Sequence, residues 1–258
     1  MSEPVTVSIE DGVGIIELSR PGKFNCLSSE VKDGIDAARR RFEDSAAVRA
    51  ILVRAQGKHF CTGADLDEVK AARTDRDRLQ AFIVGGLAVL ARLEASPLPV
   101  IAAVQGLCLA GGTELMLACD VVFAARSAQF GDQHAQFGLL PGWGGSQRFP
   151  RIIGLRRAMD LFFSARWISA EEALAWGLVN YVCDDDALSD EAMAYCRRLA
   201  TRSRTGLAEM KRLAREGLEG TLEEGLHLEL ESAVAHLMTD DVTEGLAAFE
   251  ARREPKFD

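Results

Sequence analysis

The sequence lacks several patterns that would assign it to a particular class of protein. Its six cysteines form no C-x-x-C pair and have no histidine at metal-ligand spacing, which argues against a zinc site and a disulfide framework. Residues 1–9 contain no basic segment followed by an apolar core, and no run approaches eighteen apolar residues. We therefore expect neither an export signal nor a membrane span, and we expect a protein of the reducing cytoplasm.

Positive charge is also scarce. Lys and Arg total 30 against 39 Asp and Glu, which gives a formal net charge of -9 and a sequence pI near 5.1. Long-range attraction to nucleic acid or to an anionic membrane is therefore not expected, and an anionic ligand would have to meet a local basic patch. The 258 residues, of which 48% are hydrophobic, are sufficient for one sizeable core.

Strand and helix patterns alternate in the first part of the chain. Val5, Val7 and Ile9 alternate with polar residues, and the run Val13 to Leu18 follows the Asp11–Gly12 turn, which together predict a hairpin over 5–18. Apolar residues at helical spacing follow Ser28 and Ser29, either of which can cap a helix. Further strands are predicted at 48–53, 100–104, 121–124 and 179–182, and helices at 78–93, 114–118, 190–200, 206–217, 222–237 and 242–252, with a capping box from Ser169 to Glu172. This alternation predicts an α/β protein with a mainly parallel sheet.

Two glycine-containing segments, residues 60–66 and 110–115, lie where a predicted strand passes into a helix. Such junctions present backbone N–H groups without intrahelical partners, so they suit an anion or a developing oxyanion. Tight packing is the alternative role for these glycines. Neither segment has the spacing of a dinucleotide or P-loop motif, and Arg148 occupies the last glycine position of a nucleophile elbow in the run 142–148.

Glu114 is a candidate proton-transfer residue because it follows the second glycine segment and precedes three apolar residues. Partial burial would raise the pKa of its carboxyl group and make it a better base. The alternative is an exposed glutamate at a helix start, stabilised by the helix dipole.

Five separated motifs, in the same order, resemble those of the enoyl-CoA hydratase/isomerase family over essentially the full chain. The motifs are Ser19-Arg20-Pro21 with Asn25 and Leu27, FCTGADL at 60–66, GGTEL at 111–115 with Cys119-Asp120, FGLLPGWGGSQR at 137–148, and the run 170–179 with the terminal segment 250–257. The resemblance implies the crotonase fold: a spiral of ββα turns over residues 1–200, then a C-terminal helical region over 201–258 that drives assembly into a trimer or a dimer of trimers.

The resemblance also implies where the substrate binds. The backbone N–H groups of Ala64 and Gly111 would form an oxyanion hole for a thioester carbonyl as an enolate develops. Coenzyme A would enter as part of the substrate, and no metal, flavin or nicotinamide site is evident in the sequence. The predicted contacts of coenzyme A are Lys23, Phe24, Thr62, Ala64, Asp65, Leu66 and Gly111. An ordinary solvated loop lysine is the alternative for Lys23.

One position departs from the family pattern. Hydratases of this family use two glutamates, and Glu114 matches the first, whereas His134 occupies the place of the second. We expect Glu114 to act as the base toward water and His134 as the acid toward the substrate α-carbon. A satisfied, non-catalytic His134 is the alternative. Asp132 is a further candidate to replace the glutamate, although a loop acid near a turn is more often a cap.

The resemblance implies an enoyl-CoA hydratase of fatty acid metabolism, which adds water to a 2-enoyl-CoA thioester. Other CoA-thioester chemistry, by an isomerase, decarboxylase or hydrolase, stays open, as does acyl-CoA binding without turnover, because His134 replaces the second glutamate. The acidic balance argues against nucleic-acid binding. Candidate acyl-pocket residues are Val69, Phe82, Val84, Trp143 and Phe162, with core packing as the alternative for each.

Overall fold

A computed structural model describes residues 3–257 of the chain. Met1 and Ser2, which begin the segment predicted to carry no export signal, lie outside the described residues, as does Asp258 at the end of the predicted helical region. Within the described range, no helix has the length and apolar character needed to cross a bilayer.

The strands form two sheets. They are β1 Val5–Glu10, β2 Val13–Leu18, β3 Ala50–Ala55, β4 Val100–Val104, β5 Leu107–Leu109, β6 Val121–Ala125, β7 Gln129–Gly131, β8 Ile168–Ser169 and β9 Tyr181–Cys183. The larger sheet has the order β1-β2-β3-β4-β6-β9. The β1–β2 hairpin is antiparallel and every later pair in this sheet is parallel. The predicted hairpin and the mainly parallel sheet are confirmed.

Helices cover the sheet and follow it along the chain. They are α1 Ser29–Glu43, α2 Leu66–Ala72, α3 Arg76–Glu94, α4 Gly111–Leu117, α5 Gly145–Ile153, α6 Leu155–Ser164, α7 Ala170–Ala175, α8 Leu188–Ala200, α9 Arg204–Glu216, α10 Leu222–His236 and α11 Asp240–Ala251. Ser28 caps α1, as predicted, by accepting a hydrogen bond from the Val31 N–H. Ser169 likewise caps α7, but the Glu172 carboxylate pairs with Arg166, so the predicted reciprocal half of the capping box is wrong.

The smaller sheet, β5-β7-β8, holds the glycine segments in place. The backbone of Cys61 forms a single parallel β-bridge with that of Cys108 in β5, and the backbones of Leu27 and Ala64 form another. These bridges bring the loop before α1, the segment before α2 and the strand before α4 side by side. Three stretches that are far apart in sequence therefore meet at one place.

Ion pairs fasten α9 to the core. Arg215 contacts Glu94 at 2.9 Å and Asp120 at 2.7 Å, and Lys211 lies 2.7 Å from the other oxygen of Asp120. The Asp120 carboxylate also accepts the backbone N–H of Val100, the first residue of β4. The predicted boundary between residues 200 and 201 falls at the end of α8, and the division into two regions stays a prediction.

Candidate active site

A cavity of about 480 Å³ brings together most of the residues predicted to contact the substrate. Of the predicted set, the lining includes Lys23, Thr62, Ala64, Asp65, Leu66 and His134. Other lining residues are Cys26, Asp67, Val69, Leu109, Ala110, Gln133, Phe137, Leu139 and Trp167. Glu114 and Gly111 lie buried next to this lining, whereas Phe24 is exposed and stacks on His59 with ring centroids 5.5 Å apart.

The amides of Ala64 and Gly111 find no hydrogen-bond acceptor in the part of the chain that the structure describes. The bridge to Leu27 uses the flanking groups, because Leu27 N–H donates to the Gly63 carbonyl and Asp65 N–H donates to the Leu27 carbonyl. Successive residues of an extended chain direct their N–H groups to opposite sides, so the Ala64 N–H points away from Leu27. Gly111 is the first residue of α4, where an N–H has no intrahelical partner.

These two amides are also close in space. A Cβ atom on Gly111 would lie 3.2 Å from the Ala64 nitrogen, and one on Gly63 would lie 3.1 Å from the Gly111 nitrogen. Ala110 precedes Gly111 with φ 49° and ψ −121°, a conformation that costs an L-residue about 1–3 kcal/mol. Its N–H donates to the Gly131 carbonyl and its own carbonyl accepts from the Thr113 hydroxyl, so both sides of the strained residue are held.

Glu114 is buried, with 1% of its surface exposed, so the alternative of an exposed helix-start glutamate is wrong. Its Oε1 accepts two backbone hydrogen bonds of 2.8 Å, from the N–H groups of Trp143 and Gly145 at the start of α5. Burial raises the pKa of the Glu114 carboxyl, and the two hydrogen bonds and His134 offset only part of that rise. The carboxylate is therefore a stronger base than an exposed glutamate.

His134 forms a pair with Asp132. Nδ1 of His134 lies 3.0 Å from Oδ2 of Asp132, and the His134 backbone N–H donates to Oδ1 at 3.2 Å. Asp132 thus caps the turn and also holds the ring. Burial lowers the pKa of His134, but Asp132 and Glu114 favour the cation more strongly, and the pKa is raised overall.

The cavity wall predicted to contact coenzyme A carries both positively and negatively charged side chains. Nζ of Lys23 lies 3.9 Å from Oδ2 of Asp67, and both side chains are largely exposed. Asp65 caps α2 through the Asp67 N–H and accepts from Arg20 and from the Cys26 thiol. Burial raises the pKa of the Asp65 carboxyl, yet these donors outweigh it and lower the pKa overall. Lys23 is therefore a cation with only a weak partner at the cavity mouth.

The candidate acyl-pocket residues separate into three groups. Val69 lines the cavity. Phe82 packs against Trp143 with ring centroids 5.5 Å apart, and Phe162 packs edge-on against Phe149, so core packing describes these three candidates. Val84 is 55% exposed and fits neither role.

Several contributors to the site were missed in the sequence. The Trp143 and Gly145 N–H groups hold Glu114, and a glycine-rich start to a helix was the available signal for such donors. The strain at Ala110 and the left-handed Gln133, with φ 63°, carried no sequence signal because non-glycine residues rarely adopt such angles. Among residues 3–257, no cluster of three or more His, Cys, Asp or Glu side chains is placed to hold a metal ion.

Comparison with known proteins gives a consistent result. A model of the enoyl-CoA hydratase/isomerase family matches residues 8–258. A Mycobacterium leprae protein named "Probable enoyl-CoA hydratase" is 40% identical over 245 residues, covering 95% of this chain and 94% of that protein. An Escherichia coli 1,2-epoxyphenylacetyl-CoA isomerase is 33% identical over 259 residues, covering 100% and 99%. The crystal structure of an enoyl-CoA hydratase from Bacillus anthracis superimposes with a TM-score of 0.94 at 32% identity, covering 98% of each chain.

Proposed function

Because this chain belongs to the enoyl-CoA hydratase/isomerase family and has its crotonase fold, we propose that it is a hydratase that adds water to a 2-enoyl-CoA thioester. The observation that carries the proposal is that Ala64 and His134 line one cavity, while the Gly111 amide and the Glu114 carboxylate lie buried beside them. Neither amide is bonded within the described residues.

The amides of Ala64 and Gly111 serve as the oxyanion hole. The thioester carbonyl oxygen accepts from both N–H groups, and negative charge collects there when water adds to the double bond. Because the donors are already placed, they need no reorganisation at that moment, and removing one such donor costs about 3–4 kcal/mol in other enzymes. The strain at Ala110 supports this role, since strained backbone persists mainly at functional sites.

Glu114 and His134 move the protons. Oε1 of Glu114 is held by two N–H groups, which leaves Oε2 to take a proton from water as the water oxygen bonds to the β-carbon. The imidazolium of His134 gives a proton to the α-carbon as the enolate collapses. Glu114 then carries the extra proton and His134 lacks one, and exchange with solvent restores both.

Coenzyme A lies along the wall formed by residues 62–66, with Lys23 near its phosphates. Arg20 neutralises Asp65, which removes a repulsion that this carboxylate would otherwise exert on an anionic ligand. Phe24, next to Lys23 at the edge of this wall, has an exposed aromatic ring.

The protein assembles with further copies of itself into a trimer or a dimer of trimers, in the cytoplasm. One face of α10 exposes apolar side chains at four-residue spacing, a pattern that a monomer rarely leaves in water. These side chains are Leu222, Leu226, Leu230 and Val234. The described cysteines are buried free thiols, which fits a reducing compartment.

Hydration is tested by following the loss of enoyl-thioester absorbance with a panel of 2-enoyl-CoA esters of different chain length. We expect the wild type to turn over. Glu114→Gln should lose at least 10³-fold in turnover, on the order expected when the base that activates the attacking water is removed. Glu171→Gln is the matched control, because Glu171 is an exposed partner of Arg126 and should leave turnover unchanged.

The alternatives give different results in the same assay. Tight binding of the esters without turnover by the wild type would identify a non-catalytic acyl-CoA-binding protein. Migration of the double bond without net addition of water would identify an isomerase. Undiminished hydration by Glu114→Gln would remove Glu114 from its role.

A further inference from the structure

Asp132 is a buried carboxylate whose two oxygens both bind the same residue. Only 1% of its surface is exposed. Oδ2 lies 3.0 Å from His134 Nδ1, and Oδ1 accepts the His134 backbone N–H at 3.2 Å. A carboxylate used only as a turn cap would not need to hold the ring as well.

We propose that Asp132 is a positioning residue that fixes His134 with Nδ1–H toward Asp132 and Nε2 toward the substrate α-carbon, so that the pair replaces the second carboxylic acid of the site. The proposal rests on the proposed hydratase function for the step that His134 performs. The pairing itself rests on geometry alone.

The tautomer follows from donor and acceptor chemistry. An ionised carboxylate can only accept, so Nδ1 must carry the hydrogen in the contact with Asp132. In the neutral ring, Nε2 then has the free lone pair, and in the cation it carries the proton that can leave. His134 lines the cavity, so this second nitrogen is the one available to a bound molecule.

The backbone holds the pair in register with the amide of Gly111. Gln133, between the two residues, is left-handed at φ 63°, and its side-chain amide donates to the Ala165 carbonyl. Gly131, just before Asp132, accepts the Ala110 N–H at 2.9 Å. The turn that carries His134 is thus bonded to the loop that carries Gly111.

The charges around His134 suit an acid. Glu114 faces it from α4 and Asp132 from its own turn, while Lys23, Asp65 and Asp67 are the other charged residues in the described lining of the cavity. One imidazolium between two carboxylates leaves a single net negative charge. Two carboxyl groups sharing one proton carry the same charge, so the Asp132–His134 pair replaces a carboxylic acid without changing the charge of the site.

The test is Asp132→Asn, measured both by turnover and by ¹⁵N NMR of the histidine ring nitrogens, with His134 assigned by its loss in His134→Gln. An asparagine can turn its NH₂ toward Nδ1 and favour the other tautomer, a change that costs on the order of 10⁴-fold in serine proteases. We expect kcat to fall by about 10²–10⁴-fold with KM little changed, and the alkaline limb of the pH profile to move to lower pH.

Three comparisons separate positioning from a structural role. In the neutral wild-type ring we expect Nδ1 protonated and Nε2 bare, and in Asp132→Asn the ring should lose its proton at lower pH. Asp132→Asn should add little further loss in a His134→Gln background, since it acts through that ring. Asp184→Asn, which alters an exposed aspartate paired with Arg126, should change neither spectrum nor turnover.

A neutral wild-type ring that carries its hydrogen on Nε2 would overturn the inference, and this measurement does not require the Asp132→Asn variant to fold. The inference also fails if His134 titrates at the same pH in Asp132→Asn as in the wild type. It fails too if Asp132→Asn lowers turnover as much in the His134→Gln background as in the wild type. The NMR result does not depend on turnover. Expected spectra from a protein that hydrates no enoyl-CoA would therefore refute the proposed function and leave the pairing intact.

Discussion

Replacing Gly111 with alanine adds one methyl group at the point where the two amides meet. The new Cβ would lie 2.8 Å from Cζ3 of Trp143 and 3.2 Å from the Ala64 nitrogen. Favourable contact between carbon atoms begins at about 3.5 Å, so something must move by roughly 0.7 Å. The Trp143 ring cannot yield easily, because it is buried and packs against Phe82 and Gly86, and its backbone N–H and carbonyl are bonded to Glu114 and Arg148. The Gly111 amide is therefore the group that shifts.

The expected effects on stability and on turnover are of different size. Overpacking costs about 1–3 kcal/mol, and replacing glycine in a helix returns up to about 1 kcal/mol, so the free energy of unfolding should fall by no more than about 3 kcal/mol. A misplacement approaching 1 Å at a catalytic group costs on the order of 10²-fold in rate. Gly111→Ala should thus fold and lose about 10²-fold in kcat/KM.

The measurement is hydration kinetics together with urea unfolding of the same preparation. Gly85→Ala is the matched control, because Gly85 lies in α3 and a Cβ there meets nothing within 4 Å. It should gain up to about 1 kcal/mol of stability and keep its turnover. A folded Gly111→Ala protein with wild-type kcat/KM would refute the claim that this amide contacts the reacting carbonyl.

Three further outcomes follow from the site and its supports. The kcat of the wild type should fall on the acid side as Glu114 is protonated, at a pH above the ordinary glutamate pKa of about 4.3. It should fall on the alkaline side as His134 loses its proton, at a pH above the ordinary histidine pKa of about 6.5. A flat kcat across this range would contradict both assignments. Lys23→Ala should raise KM for a CoA ester up to about fivefold, with kcat unchanged and no effect on a pantetheine thioester that lacks the nucleotide phosphates; equal effects on both substrates would exclude a phosphate contact. Arg215→Ala should lower the free energy of unfolding by about 1 kcal/mol, because Glu94 and Asp120 each lose a partner that is itself partly exposed, and unchanged urea unfolding would show that these ion pairs do not fasten α9.

Elements with a strong local signal were predictable. The β1–β2 hairpin has apolar residues at alternate positions of β1 and a turn that favours positive φ, and α1 begins just after a serine that caps it. The strands β5, β7 and β8 have two or three residues each, too few for any periodicity, and pairing with distant strands holds them in place. Pro150 lies inside α5 and opposes helix in the sequence, so that helix depends on tertiary packing.

The site was predictable only where a motif carried it. The segments that hold Ala64, Gly111 and Glu114 follow from glycine placement and from the family resemblance. Burial of Glu114, however, depends on the start of α5, about thirty residues further along the chain, and no local pattern reports such a contact. The ring contact between Asp132 and His134 depends in the same way on the left-handed backbone at Gln133.

The oxyanion hole is tested most directly by a crystal structure of the Glu114→Gln variant with an unreacted 2-enoyl-CoA. The thioester oxygen should lie about 2.7–3.1 Å from both the Ala64 and the Gly111 nitrogens, with the α-carbon facing His134. A carbonyl bound away from these amides, or bound by only one of them, would contradict their proposed role.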